Sequence, residues 1–192
     1  MLKILIGGLA VLLLAASAAL WMLRPGTQRP EGSVAPDFAL QDQGGRIHRL
    51  SDYAGRWLVL YFYPRDDTPI CTREACRFRD DIGTLGKFNA AVVGVSVDSA
   101  RSHAAFSRKY GLPFPLLSDP GGRTAAAYDS LLNLGFVRVA RRHTFIISPD
   151  GRIAARFDQV DPAHHAEEVG DALGRLQRGG AQALAPPGGD NN

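Results

Sequence analysis

The sequence is poor in cysteine and holds no block of basic residues. Two cysteines among 192 residues are too few for a disulfide-stabilised scaffold or a four-cysteine zinc site. The 22 basic residues are balanced by 19 acidic ones, so nucleic acid is a poor candidate for a partner. A hydrophobic share of 45% excludes both a mostly disordered chain and a protein with several membrane spans.

One long stretch near the amino terminus, residues 4–23, carries no charge. A helix of that length spans roughly 30 Å, the thickness of the hydrocarbon core of a membrane. Its length and Trp21 favour an uncleaved anchor over a signal peptide cleaved near residues 16–18. A buried helix of the folded domain is disfavoured because the stretch has no polar face. Both leading interpretations predict a periplasmic domain, membrane-anchored or secreted; a cytoplasm-facing anchor is less favoured.

Composition divides the chain into four parts. Residues 1–24 contain the apolar stretch, as a transmembrane anchor or signal peptide, and residues 25–35 are interpreted as a linker. Residues 36–178 form the predicted folded domain, which shows no internal repeat. Residues 179–192, rich in Gly, Ala, Pro and Asn, are predicted to be a disordered tail.

Within the predicted domain, apolar segments of strand length alternate with helical segments. Strands are predicted at residues 57–63, 90–97, 114–117, 143–148 and 152–157. Helices are predicted at residues 69–88, 99–110, 124–131 and 163–176. Continuous apolar strands separated by helices are typical of an α/β fold, and the last two strands form a hairpin. The sequence therefore predicts a central mixed sheet flanked by helices.

The segment that holds the candidate catalytic residues follows the predicted strand at residues 57–63. Pro64 ends the strand, and a helix is predicted to begin with Thr68 as its N-cap and Pro69 at its first position. Cys71 then lies in the first turn, where unpaired backbone N–H groups and the helix dipole favour a thiolate. Loops beyond the carboxyl ends of strands are also where α/β sheets bind ligands.

Cys71 and Cys76 are five residues apart. On one continuous helix this separation places their Cα atoms roughly 8–9 Å apart. A disulfide tolerates a separation of at most about 7 Å. Either these cysteines never pair, or the first turns of the helix unwind when they do.

This segment resembles the active-site sequence of the peroxiredoxins. The pattern Pro64-x-x-x-Thr68-x-x-Cys71 is similar to the peroxiredoxin motif, and residues 71–80 look like the peroxiredoxin Q subfamily, also called bacterioferritin comigratory proteins. Similar sequence continues at residues 35–40, 94–98 and 144–151. The resemblance implies a thioredoxin-like fold and thiol-dependent reduction of hydroperoxides.

The resemblance also implies roles for single residues. Cys71 corresponds to the peroxidatic cysteine, and Cys76 to the resolving cysteine that condenses with the Cys71 sulfenic acid in an intramolecular disulfide. Thr68 corresponds to the hydroxyl that binds the thiolate and the peroxide, and Pro64 to the residue that shields the site. Such a pair is chemically consistent, because a thiolate attacks the O–O bond and a second thiol limits over-oxidation.

Two charged residues receive roles in the same way. Arg142 corresponds to the arginine that stabilises the thiolate and the peroxide oxygens, and Glu74 to the acid that orients it. Arg141 and His143 flank Arg142, so this choice depends on the register of the strand. Ile70 departs from the subfamily, which often has glycine there, and adds an apolar side chain beside the site.

The expected partners are a hydroperoxide and a thioredoxin or related dithiol protein as reductant. No cofactor, metal or nucleic acid is expected; the amino-terminal segment would contact the membrane, and intramolecular pairing permits a monomer. Two other functions compete on related folds. Disulfide-exchange proteins use Cys-x-x-Cys, and copper carriers use three intervening residues with a downstream His. Cys71 and Cys76 are separated by four residues, which favours the peroxidase.

The remaining polar residues receive structural interpretations. His164 and His165 lack a second ligand pair at metal spacing and are predicted to be surface residues. Asp66 and Asp67 are predicted to be solvated loop acids that favour the start of the helix.

Overall fold

The structure, a computed structural model, describes residues 30–135 and 137–184. These residues contain nine strands: β1 Ala39–Asp42, β2 Ile47–Arg49, β3 Trp57–Phe62, β4 Ala90–Ser96, β5 Leu116–Ser118, β6 Leu131–Asn133, β7 Arg138–Ala140, β8 His143–Ile147 and β9 Ile153–Phe157. They also contain five α-helices: α1 Pro69–Asp80, α2 Ile82–Lys87, α3 Ala100–Tyr110, α4 Arg123–Ala127 and α5 His165–Leu184. A 3₁₀ turn, Leu50–Tyr53, precedes β3.

Seven of these strands form one sheet in the order β2-β1-β5-β4-β3-β8-β9. The central pairs β3–β4 and β4–β5 are parallel, while β8 lies antiparallel to both β3 and β9. The predicted mixed sheet and the hairpin of β8 and β9 are therefore confirmed. Because β8 lies directly beside β3, a residue just before β8 lies close to a residue just after β3.

Helices cover both faces of this sheet. Alternate residues of β3 point into two different cores, Val59 and Tyr61 into one and Leu58 and Leu60 into the other. The first core also takes side chains from α1, α2, α3 and α5, and the second takes side chains from the 3₁₀ turn and α4. Burial on both faces explains why most residues of the central strands are apolar.

The predicted helix starts are confirmed more closely than the predicted helix lengths. The Ser99 Oγ accepts a hydrogen bond from the backbone of Ser102 at the start of α3, and Gly111 ends that helix in the left-handed region. Residues 69–88 form two helices rather than one, divided at Asp81. The second of them contains Gly83 and Gly86, and glycine has a low helix propensity.

The short strands β1, β2, β6 and β7 have no counterpart in the sequence predictions. β1 and β2 form a hairpin at the edge of the main sheet, and β6 and β7 form a separate two-stranded sheet. Each has three or four residues, too few for periodicity to reveal. The hairpin of β6 and β7 matters for the site because β7 ends just before Arg142.

The apolar stretch at residues 4–23 lies outside the described residues. In the part of the chain that the structure describes, no helix is long and apolar enough to cross a bilayer. The longest of the described helices, α5, carries Glu167, Glu168 and Asp171 in its first half.

Gly94 lies at the centre of β4, where Tyr61 of β3 crosses it. A Cβ at this position would lie 2.7 Å from Cζ and the hydroxyl of Tyr61 and 2.8 Å from Leu116. We expect Gly94→Ala to lower the free energy of unfolding by about 1–3 kcal/mol, measured by urea denaturation, because a packed core resists an added methyl group. Gly83→Ala is the matched control, since a Cβ there meets no atom within 4 Å. Equal effects of both substitutions would contradict this packing.

Candidate active site

Cys71 lies in the first turn of α1, immediately beyond the carboxyl end of β3. Thr68 occupies the N-cap position in extended conformation, and Pro69 occupies the first helical position, as predicted. The cysteine is 3% exposed. The first backbone N–H groups of a helix have no partner within it, so this turn stabilises negative charge on the Cys71 sulfur.

Arg142 reaches Cys71 from the neighbouring strand. It directly precedes β8, and its Nη2 donates a hydrogen bond to Cys71 Sγ at 3.1 Å. Its Nη1 donates to Glu74 Oε2, one helical turn beyond the cysteine. Arg141 is exposed, so the structure selects Arg142 from the basic pair. Three of the predicted site residues, Cys71, Glu74 and Arg142, therefore form one contact network.

The charges in this network influence one another. Burial raises the pKa of Glu74 to about 7, against the lowering effect of Arg142. Burial lowers the pKa of Arg142, but Glu74 and Cys71 raise it more, so the guanidinium remains cationic. Glu74 is 1% exposed, and no described residue forms a hydrogen bond with its Oε1. Arg142 is thus held between a buried carboxyl group and a sulfur atom, both of which gain from its charge.

The other predicted site residues lie in the same region without joining this network. Pro64 lies two residues after the end of β3 and is half-buried. The Thr68 hydroxyl donates to the backbone carbonyl of Arg65 at 3.2 Å and does not cap the helix. Their predicted roles toward peroxide therefore remain predictions.

Cys76 lies on the same uninterrupted helix as Cys71. It is half-buried, and neither cysteine is in a disulfide. Five residues of regular helix separate the two Cα atoms by roughly 8–9 Å. Any pairing of these cysteines therefore requires the first turns of α1 to unwind.

Several buried polar residues near the site were missed by sequence reasoning. Asp66, predicted to be solvated, is buried against His103. His165, predicted to lie on the surface, is fully buried, whereas His164 is exposed. The partners of both buried groups are far away in the sequence, so no local pattern reveals them. Among the described residues, no group of three or more His, Cys, Asp or Glu is arranged to hold a metal ion.

His165 makes the stability of the protein depend on pH. Its Nε2 lies 2.8 Å from Thr144 Oγ1, and burial lowers its pKa. The unfolded chain therefore takes up a proton near pH 6.5 that the folded protein binds only at lower pH. The free energy of unfolding should fall as the pH drops below about 6.5, by at most about 1.4 kcal/mol per pH unit for this residue.

A comparison with His165→Gln isolates this contribution. Urea denaturation of both proteins between about pH 7.5 and about pH 5.5 should show the stability difference shifting in favour of the variant as the pH falls. The difference cancels the contributions of Glu74 and of His143, whose pKa burial also lowers. A difference that stays constant with pH would contradict a buried, neutral His165.

Comparisons with known proteins identify relatives of this chain. The AhpC/TSA family model matches residues 32–156. Peroxiredoxin Q from the chloroplast of rice, Oryza sativa subsp. japonica, is 41% identical over 148 residues, 77% of this chain. The match covers 66% of the rice protein, so this chain spans just under two thirds of that relative. Peroxiredoxin Bcp from Bacillus subtilis is 40% identical over 142 residues, 72% of this chain and 90% of the relative.

A solved structure gives the same assignment. The bacterioferritin comigratory protein of Xanthomonas campestris, studied for its alkyl peroxide reduction activity, has a TM-score of 0.67 and 38% identity, covering 72% of this chain and 90% of its own. The expected thioredoxin-like fold is confirmed by this likeness. The predicted location, a periplasmic domain that is membrane-anchored or secreted, is wrong on these comparisons, since the plant relatives are named as chloroplast proteins. The chain belongs to the AhpC/TSA family and, within it, to the peroxiredoxin Q and Bcp proteins.

Proposed function

We propose that this chain reduces hydrogen peroxide and organic hydroperoxides, with the Cys71 thiolate as the attacking group. The observation that carries the proposal is the 3.1 Å hydrogen bond from Arg142 Nη2 to Cys71 Sγ at the first turn of α1. The guanidinium and the helix terminus both stabilise negative charge on the sulfur. The same donors can stabilise the charge that develops on the departing oxygen as the O–O bond breaks.

The reaction takes place in two steps on this chain. In the first, the Cys71 thiolate attacks one oxygen of the hydroperoxide. An S–O bond forms, the O–O bond breaks, and the leaving oxygen takes up a proton to give an alcohol or water. In the second, the Cys76 thiol attacks the sulfur of the sulfenic acid, an S–S bond forms, and water leaves. A dithiol protein then reduces the disulfide by exchange and is itself oxidised.

The two steps need different conformations of α1. Peroxide attack uses the folded first turn, in which Cys71 contacts Arg142. Disulfide formation uses an unwound turn, because Cys76 lies too far along the intact helix. Thr68 is assigned the role of binding peroxide through its hydroxyl, after release from the Arg65 carbonyl, and Pro64 that of shielding the site.

Substrates and partners follow from the surroundings of Cys71. Ile70, beside the cysteine, is 56% exposed and offers an apolar surface to the organic part of a hydroperoxide. The alkyl peroxide reduction activity studied in the Xanthomonas relative supports this substrate class. A thioredoxin-like dithiol is the proposed reductant, and a monomer suffices because both thiols lie on one chain.

Peroxide-dependent turnover tests the proposal. The protein is mixed with hydrogen peroxide or cumene hydroperoxide, with thioredoxin and thioredoxin reductase as the recycling system, and NADPH oxidation is followed. We expect oxidation that depends on both the peroxide and the protein. No turnover with thioredoxin or with dithiothreitol would contradict a peroxidase. Reduction of insulin disulfides, or tight binding of copper(I), would then support one of the competing functions.

A further inference from the structure

The loop between β3 and α1, residues 64–68, is bound to α3 through a buried carboxylate. The Tyr63 hydroxyl donates to Asp66 Oδ1 at 2.7 Å, and His103 Nδ1 lies 2.9 Å from Asp66 Oδ2. Asp66 is 8% exposed and His103 is fully buried. Burial raises the pKa of Asp66, but the hydrogen bond and charge interaction with His103, together with hydrogen bonds from Ser102 and Tyr63, lower it more, so the carboxylate stays ionised.

Asp67, the next residue of the loop, binds the same helix, α3, at the protein surface. Asp67 has a φ of 58°, in the left-handed region. Both of its carboxylate oxygens accept from Lys109 Nζ, at 2.7 and 2.8 Å, and one accepts from the Tyr110 hydroxyl at 2.8 Å. Together with the buried pair, these contacts fix two consecutive residues just before Thr68.

The backbone of the loop is fixed as well. The Asp66 N–H donates to Asp98 Oδ2 at 2.8 Å, and Ser96 Oγ donates to the same oxygen at 2.8 Å. Burying His103 costs free energy, because its buried Nε2 has no hydrogen-bond partner among the described residues. An apolar side chain in its place would avoid that cost, so packing alone does not account for a histidine.

We propose that Asp66 and His103 are positioning residues that set the balance between the two conformations of α1. This inference rests on the proposed function. Neither residue touches the reacting atoms. By fixing residues 64–68, they hold the first turn of α1 in the folded form that places Cys71 beside Arg142. The same contacts oppose the unwinding that brings Cys71 to Cys76.

Opposite effects on the two steps follow from this role. Loosening the loop should slow the attack on peroxide, since misplacing a reacting group by about 1 Å can cost as much as a factor of 10². It should also speed disulfide formation, because the first turn unwinds more readily. A loss of stability alone would not slow one step and speed the other.

His103→Leu and His103→Asn test the inference as a matched pair. Leucine removes the donor to Asp66, while the asparagine amide can donate from a position close to that of Nδ1. Single-turnover experiments on the full chain with hydrogen peroxide, quenched and analysed by mass, give separate rates of sulfenic acid and disulfide formation. We expect His103→Leu to slow the first step roughly tenfold and to speed the second several-fold, and His103→Asn to restore both.

Lys109→Met and Tyr110→Phe provide a second test of the inference if His103→Leu does not fold. Each removes a surface contact to Asp67, and each should shift both rates in the same directions by a smaller factor. Unchanged rates in these variants, or rates that fall together in His103→Leu without rescue by asparagine, would overturn the inference. A wild-type protein that does not react with peroxide would instead contradict the proposed function, so the two failures are distinguishable.

Discussion

Cys71→Ser is expected to abolish peroxide reduction, whereas Cys76→Ser should leave the first oxidation intact. Serine at residue 71 replaces the sulfur atom that Arg142 contacts, and an alcohol is not ionised at neutral pH. In Cys76→Ser the sulfenic acid on Cys71 forms but finds no second thiol on the same helix. Turnover with thioredoxin should then stop, and excess peroxide should convert Cys71 to the sulfinic acid.

Rapid-quench mass spectrometry separates these outcomes. Cys71→Ser should show no mass change with equimolar peroxide, and Cys76→Ser should gain one oxygen and then a second. Both variants are conservative in size, so near-UV circular dichroism should show that each is folded. Peroxide consumption by Cys71→Ser at the wild-type rate would contradict the assignment of the nucleophile. Full thioredoxin-dependent turnover by Cys76→Ser would remove Cys76 from its role.

Arg142→Leu is expected to lower the rate constant for oxidation by peroxide by about 10²–10³, the effect of losing one fixed donor to a developing negative charge. Leucine retains packing but removes both hydrogen bonds, to Cys71 and to the buried Glu74. Arg142→Lys should recover only part of the loss, because an ammonium group cannot present two donors in a planar fork. The exposed neighbour provides the control, and Arg141→Leu should retain the wild-type rate constant within a few-fold.

The pH dependence of Glu74→Gln tests how Arg142 is held. With a pKa of about 7, the Glu74 carboxyl group is ionised above neutral pH and protonated below it. The ratio of wild-type to variant rate constants should therefore be roughly tenfold at about pH 8 and approach one at about pH 6. Using the ratio removes the pH effects that both proteins share. A ratio independent of pH would contradict an orienting carboxylate.

The sequence predicts the central part of the fold because its signals are local. The strands at β3 and β4 are continuous apolar segments, and Thr68, Pro69, Ser99 and Gly111 mark helix ends through residue type alone. The peroxidatic motif lies in one stretch of sequence, so its cysteine is found without knowledge of the fold. Arg142 is found only through the resemblance, because 71 residues separate it from Cys71 and β3–β8 pairing brings them together.

The features that escape prediction depend on long-range packing. Asp66 is a loop acid by sequence, and only the position of α3 buries it against His103, 37 residues away. His165 follows the exposed His164, and the rotation of α5 on the sheet decides which of the two is buried. The hairpin of β6 and β7 has three-residue strands whose pairing no periodicity reveals. The predicted membrane location came from a stretch that lies outside the described residues.

The most direct test of the account is the product of one equivalent of hydrogen peroxide with the fully reduced protein. Intact mass and a count of free thiols are taken within seconds of mixing. The account predicts the loss of two hydrogen atoms and of both thiols, which corresponds to a disulfide between Cys71 and Cys76. An unchanged mass with two free thiols would contradict the peroxidase, and a gain of oxygen with one thiol remaining would contradict resolution by Cys76.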